Sequence, residues 1–147
     1  MIYVTVGTTY FDELVREVDD LAGKGVFSQE VIAQIGRGDY KPSHIQWVAY
    51  ANNDEYFQRA DTVICHGGVG TVFGLLQLGK DFIAVANRAL PHDHQADLLR
   101  ILESNGWCRC CYDITEIEEA YLSRRENKPY QPDSSLARAV WAEVADT

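Results

Sequence analysis

Short apolar, β-branched runs alternate along this chain with longer stretches whose apolar residues recur at three- and four-residue intervals. "IYVTV" (2–6) predicts a first strand ended by Gly7. Phe11, Leu14, Val15, Val18 and Ala22 then fall on one stripe of a helix. "EVIAQIG" predicts a second strand closed by Gly36, "IQWVAYA" a third, and "NDEYFQRA" a short polar helix. "TVICHG" predicts a fourth strand, followed by a helix with Val69, Val72, Phe73 and Leu76 as its apolar face and Gly79 as its stop. "FIAVAN" reads as a fifth strand, "HDHQADLLRILESNG" as a helix and "WCRCCY" as a sixth strand. Asp113 and Glu116 make a capping pair for a helix reaching to about Arg125. A last helix, from near Ser134, carries Ala137, Val140, Trp141 and Val144 on one stripe.

Strands alternating with helices across short loops predict an α/β domain: an open, doubly wound, mostly parallel sheet of Rossmann-like type, covered on both faces. Ligands of such sheets bind beyond the carboxyl ends of the strands, where the strand order reverses. This directs attention to the loops Gly7–Phe11, 36–44, His66–Thr71 and Asn87–Gln95. Residues 1–129 are expected to form the ligand-binding domain, and 130–147 a linker and helix available for a partner contact.

Composition narrows the ligand. A formal net charge of −9 argues against a nucleic-acid footprint but leaves room for one nucleotide, whose phosphates a few backbone N–H groups can hold. No apolar stretch approaches the roughly 18 residues of a membrane span. The start, "MIYVTVGTTYF", has no basic region ahead of its apolar run. A cytoplasmic protein is expected, held at a membrane only through a partner. Cys108, Cys110 and Cys111 lack the C-x-x-C spacing of a zinc site. Alternation puts Cys108 and Cys110 on one face of a strand and Cys111 on the other, as reduced structural thiols.

The densest chemistry lies in "HGGVGT", His66 to Thr71, where a buried strand turns into a helix. Glycines permit a tight turn and close approach of a ligand. Free N–H groups and the positive end of the helix dipole favour an anion, above all a phosphate, and Thr71 adds a hydroxyl donor. The P-loop pattern is absent. Gly68, Gly70 and Gly74 fit a loose dinucleotide pattern, but the next strand ends in Asn87 and Arg88 without a ribose-binding acid. In "HDHQ", His92, Asp93 and His94 are adjacent and cannot all point inward from a helix, so no metal site is expected; such a helix start suits sugar hydroxyls. Asp12 and Glu13 follow the first loop, either as a base or as acids favoured by a helix start.

"VTVGTTYFDELV", "ADTVICHGGVGTVFGLLQLGKDFIAVAN" and "HDHQADLL" together resemble the C-terminal, donor-binding half of family 28 glycosyltransferases, in order and over most of residues 2–106. They resemble above all its stand-alone subunits, which act in dolichol-linked and in bacterial exopolysaccharide or capsule glycan synthesis. The resemblance implies a UDP-sugar donor and transfer without a metal or other cofactor. It implies that Gly67, Gly68, Gly70 and Thr71, with His66, hold the diphosphate, and that His94 and Gln95 reach the sugar, with Asn87 nearby. Gly7, Thr8 and Thr9 would face the reaction centre, leaving Thr9, Asp12 and Glu13 as catalytic candidates. It also implies a separate, membrane-associated partner that holds a lipid-linked glycan acceptor. Many relatives carry a ribose-binding glutamate where this chain has Gly74. That departure keeps a non-catalytic nucleotide-binding regulator open as an alternative, beside a nicotinamide-dinucleotide module.

Overall fold

The computed structural model describes residues 1–87, 94–123 and 128–130, with the backbone alone at His94. Six strands form one sheet: β1 (Ile2–Thr5), β2 (Val31–Gln34), β3 (Gln46–Val48), β4 (Thr62–His66), β5 (Phe82–Val85) and β6 (Arg109–Cys111). Their order is β3-β2-β1-β4-β5-β6, and every neighbouring pair is parallel. The helices are α1 (Asp12–Gly23), α2 (Asn53–Arg59), α3 (Val69–Leu78), α4 (His94–Asn105) and α5 (Ile117–Leu122), the last entered through a 3-10 turn at Ile114–Glu116. This is the doubly wound α/β sheet that the alternation of runs predicts.

Strand side chains alternate between two cores. Ile2, Val4, Ile64, Ile83, Val85 and Cys111 pack with α1 and α5. Tyr3, Val63, Cys65, Phe82 and Ala84 pack on the opposite face, against Phe57, Leu75 and Leu99. Cys110 joins that second face, its Sγ 3.7 Å from Cys108 Sγ, so the three clustered cysteines divide between the faces and all four are free thiols. Asp113 and Glu116 form the full capping box. Gly79 takes the left-handed conformation, φ 64°, that ends α3.

One helix face differs from the periodic reading. In α3 the buried residues are Val72, Leu75 and Leu76, whereas Phe73 is exposed and lies edge-on to Tyr130. α3 is apolar nearly all round, so its sequence gives little contrast from which to read its orientation. The expected helix from Ser134, with Ala137, Val140, Trp141 and Val144, lies outside the described residues, as do Arg88, His92, Asp93 and Arg125.

Two acids of α1 anchor the β2–β3 loop. Asp12 Oδ2 accepts the N–H groups of Asp39 (3.0 Å) and Tyr40 (3.2 Å). Buried Asp19 accepts the Tyr40 hydroxyl (2.6 Å) and the amides of Ser43 (3.0 Å) and His44 (2.7 Å). Burial acts to raise the Asp19 pKa, but the hydrogen bonds from Tyr40, Ser43 and His44 outweigh it and hold the carboxyl below its ordinary value.

Candidate functional site

β1 leads through a short loop to α1 on one face, and β4 through a short loop to α3 on the other. The strand order reverses between them, and a cleft of about 560 Å³ opens there. Gly7, Thr8 and Thr9 form one wall, and His66, Gly68, Val69, Gly70, Thr71 and Gly74 the floor. Asn53, Asp54 and Phe57 of α2 and Gln95 of α4 complete it. A second cleft of about 630 Å³ runs beside the edge strand β6, lined by Glu103, Glu116, Glu119 and Lys128 among others. The switch-point cleft is the one that the loops after β1 and β4 line, and it carries the chemistry.

The floor is an uncapped helix start. Gly68 is the N-cap of α3 and offers no side chain to the first turn, which holds no acidic residue. The amide of Val72 bonds the Gly68 carbonyl at 3.0 Å, so the N–H groups of Val69, Gly70 and Thr71 precede the first helical hydrogen bond. With the dipole behind them they form an anion site. The glycines here do two jobs. A Cβ on Gly67 would lie 2.8 Å from Leu99 Cδ1, and one on Gly68 would run into the His66 imidazole. A Cβ on Gly70 or Gly74 would meet nothing within 4 Å. The first two glycines are therefore required by packing, and the other two keep space open.

His66 is 5% exposed. Burial pushes its pKa below the ordinary value, against an opposing pull from the Thr5 backbone, so the neutral imidazole is favoured. The Cε1–Nε2 edge of the ring lies against both Gly7 and Gly68: a Cβ on Gly7 would sit 2.7 Å from His66 Cε1.

Of the three catalytic candidates only Thr9 lines the cleft, and its hydroxyl donates to the Val6 carbonyl (2.6 Å), closing the turn after β1. Asp12 braces the 39–40 amides instead, and Glu13 is exposed on α1 away from the cleft. Thr8, Thr71 and Gln95 line the cleft as expected. Asn87 does not line it. Its backbone N–H donates to Gln95 Oε1 (2.9 Å) and its Nδ2 to the Tyr10 carbonyl (2.9 Å), tying the loop after β5 to the loop after β1. His94 opens α4 beside Gln95.

The α2 wall escaped the sequence reading. It is fixed by the hydroxyl of buried Tyr3, which donates to Asn53 Oδ1 at 2.5 Å. Gln34 was missed too. It is 3% exposed, and its amide bonds both sides of Gly7. A glutamine inside the apolar run "VIAQIG" was the available signal.

Comparison with known proteins gives a consistent picture. A family model described as the glycosyltransferase family 28 C-terminal domain matches residues 1–139. The human UDP-N-acetylglucosamine transferase subunit ALG13 is 33% identical over 124 residues, covering 74% of this chain. The Candida albicans protein of the same name is 25% identical over 135 residues, covering 84%. This chain spans only 11% of the human relative's length and 44% of the fungal one's. Among solved structures, Acinetobacter baumannii MurG superposes with a TM-score of 0.65 at 18% identity, over 83% of this chain and 40% of that one. An NMR solution structure of ALG13 gives 0.59 at 20% identity, over 90% of this chain and 89% of that one. These two structures bear on the fold.

Proposed function

This chain belongs to the glycosyltransferase family 28 C-terminal domains, and from that membership we propose that it is the donor-binding, catalytic part of a two-subunit glycosyltransferase. The donor is a UDP-sugar, with UDP-N-acetylglucosamine the first to test because the curated relatives are named for it. The observation that carries the reading is the uncapped, glycine-opened start of α3 at the switch point, with buried His66 beside it.

The diphosphate lies across the N–H groups of Val69, Gly70 and Thr71, which stabilise the charge that develops on it as the sugar leaves. No metal is assigned a part in this step. Gln95 and His94, at the start of α4, lie on the sugar side, while Thr8 and Thr9 face the transferred carbon. Asp54 is the carboxylate that lines the cleft among the described residues, and it stands on the α2 wall. We assign the base that activates the acceptor, and the lipid-linked acceptor itself, to a membrane-associated partner subunit on the cytoplasmic face. The setting is exopolysaccharide, capsule or a related glycan. Among the described residues no helix is long and apolar enough to cross a membrane.

Calorimetry with UDP and UDP-sugars tests the donor site. Saturable binding by this chain alone, with sugar transfer only when the partner is co-expressed, is the expected result. Full transfer to acceptor by this chain alone would refute the split arrangement, and binding without transfer in the complex would favour the regulator.

Gly74 lines the cleft one turn after Gly70, with open space where a side chain would start. A carboxylate there can accept hydrogen bonds from a ribose diol, and a charge-assisted bond contributes about 1.5–3 kcal/mol, roughly tenfold in affinity at the lower figure. Gly74→Glu is therefore expected to tighten UDP binding about tenfold. Gln77, three residues on, is exposed and outside the cleft, so Gln77→Ala should leave the dissociation constant unchanged. A folded Gly74→Glu protein with unchanged or weaker affinity would place the ribose elsewhere.

A further inference from the structure

β2 is an apolar strand with one polar side chain, Gln34, buried at its carboxyl end. Gln34 is register partner to Thr5 of β1 and Val48 of β3, which places it beside the first cleft wall. Its Oε1 accepts from the Thr5 hydroxyl (2.6 Å) and the amides of Gly7 (3.1 Å) and Val6 (3.2 Å). Its Nε2 donates to the carbonyls of Gly7 (2.9 Å) and Ala49 (3.0 Å). The Gly7 amide also reaches Thr5 Oγ1 at 3.1 Å.

Gly7 is thus held at both its N–H and its C=O by one side chain, in the left-handed conformation, φ 62°. Gly7 packs on the Cε1–Nε2 edge of the His66 ring, and Gly68, the N-cap of α3, packs on the same edge. The Ala49 carbonyl belongs to the segment that leads into α2, whose Asn53 and Asp54 form another cleft wall. Only a side chain with both an acceptor and a donor at this length can bond the amides and the carbonyls together.

We propose that Gln34 is a positioning residue for the diphosphate site. It does not line the cleft, yet it sets Gly7 against His66, and through His66 it sets the N-cap from which the anion-binding N–H groups start. This rests on the reading that the cleft takes a nucleoside diphosphate.

Two variants test it. Gln34→Met keeps the length and loses every hydrogen bond. Gln34→Glu keeps the acceptor side, and only its protonated form can donate to a carbonyl. The groups facing residue 34 are the Thr5 hydroxyl, the Val6 and Gly7 amides and the Gly7 and Ala49 carbonyls, all uncharged. His66 is a titratable group reached through Gly7, and comparing Gln34→Glu with Gln34→Met at each pH separates its titration from that of the new carboxyl.

The measurements are UDP dissociation constants between pH 5 and 8, and hydrogen exchange of the Gly7 amide. Gln34→Met is expected to weaken UDP binding about tenfold at every pH, as loss of one ordinary bond's worth of order would, and to speed Gly7 exchange. Gln34→Glu is expected to approach the parent as the pH is lowered and the carboxyl protonates. If Gln34→Met does not fold, Gln34→Glu carries the test by itself. Parent-like UDP affinity in folded Gln34→Met, or in folded Gln34→Glu at pH 8, overturns the proposal. So does an affinity ratio for Gln34→Glu that is flat with pH, or Gly7 exchange that does not change. If the parent itself fails to bind UDP, the functional reading fails, while Gly7 exchange still reports on the hold of Gln34.

Discussion

A Gly70→Val protein should fold and melt as the parent does, yet bind UDP at least a hundredfold more weakly. Gly70 stands in the first turn of α3, and a Cβ there meets nothing within 4 Å, so the fold has room for the side chain. Valine is also slightly better than glycine within a helix, by a few tenths of a kcal/mol. The same space is where the diphosphate must lie to reach the N–H groups of Val69, Gly70 and Thr71. Hydrogen bonds to a charged group are worth about 1.5–3 kcal/mol each, so displacement from two of them amounts to roughly a hundredfold or more. Calorimetry with UDP, beside a thermal melt, decides it. Unchanged affinity in a folded Gly70→Val protein would remove the start of α3 from the site.

Gly70 was legible because its role is local. A strand, a glycine-rich turn and a helix start are contiguous in the sequence, and together they define an anion site wherever the sheet places them. The strands were legible for a similar reason. β1, β4 and β5 are short β-branched or apolar runs buried on both faces, a pattern that belongs to parallel sheets. What the sequence did not reveal depends on which segments become neighbours. Asp12 follows the Gly7 loop closely enough to suggest a base, but the turn of the chain at Phe11 aims its carboxylate at the amides of residues 39 and 40. The roles of Tyr3 and Gln34 need the strand order and register, which place Asn53 over Tyr3 and Thr5 beside Gln34. Phe73 was assigned to the core because α3 offers apolar residues on every side; Leu75 takes that place, and Phe73 meets Tyr130.

Gly67 and Gly68 show why a glycine-rich loop alone overstates the ligand's share. Their Cβ positions are denied by Leu99 and His66, so the packed loop requires them with or without a ligand. Gly7 belongs with them and gives the largest expected loss of stability. Gly7→Ala meets two obstacles. At φ 62° an L-residue is disfavoured by roughly 1–2 kcal/mol. The new methyl would also lie 2.7 Å from His66 Cε1, and the ring, 5% exposed, has little room to retreat. Forcing extra volume into a packed site costs about 1–3 kcal/mol. The sum is about 3 kcal/mol, or a fall in melting temperature of roughly 6–12 °C for a chain of this size. The two sources separate in a His66→Ala background. With the ring gone the steric part vanishes, and Gly7→Ala should cost only the backbone part, about 1–2 kcal/mol. Denaturant unfolding of the four proteins measures the coupling. An equal cost in both backgrounds would mean that the left-handed backbone alone requires glycine at position 7, and that His66 does not brace the wall of the cleft.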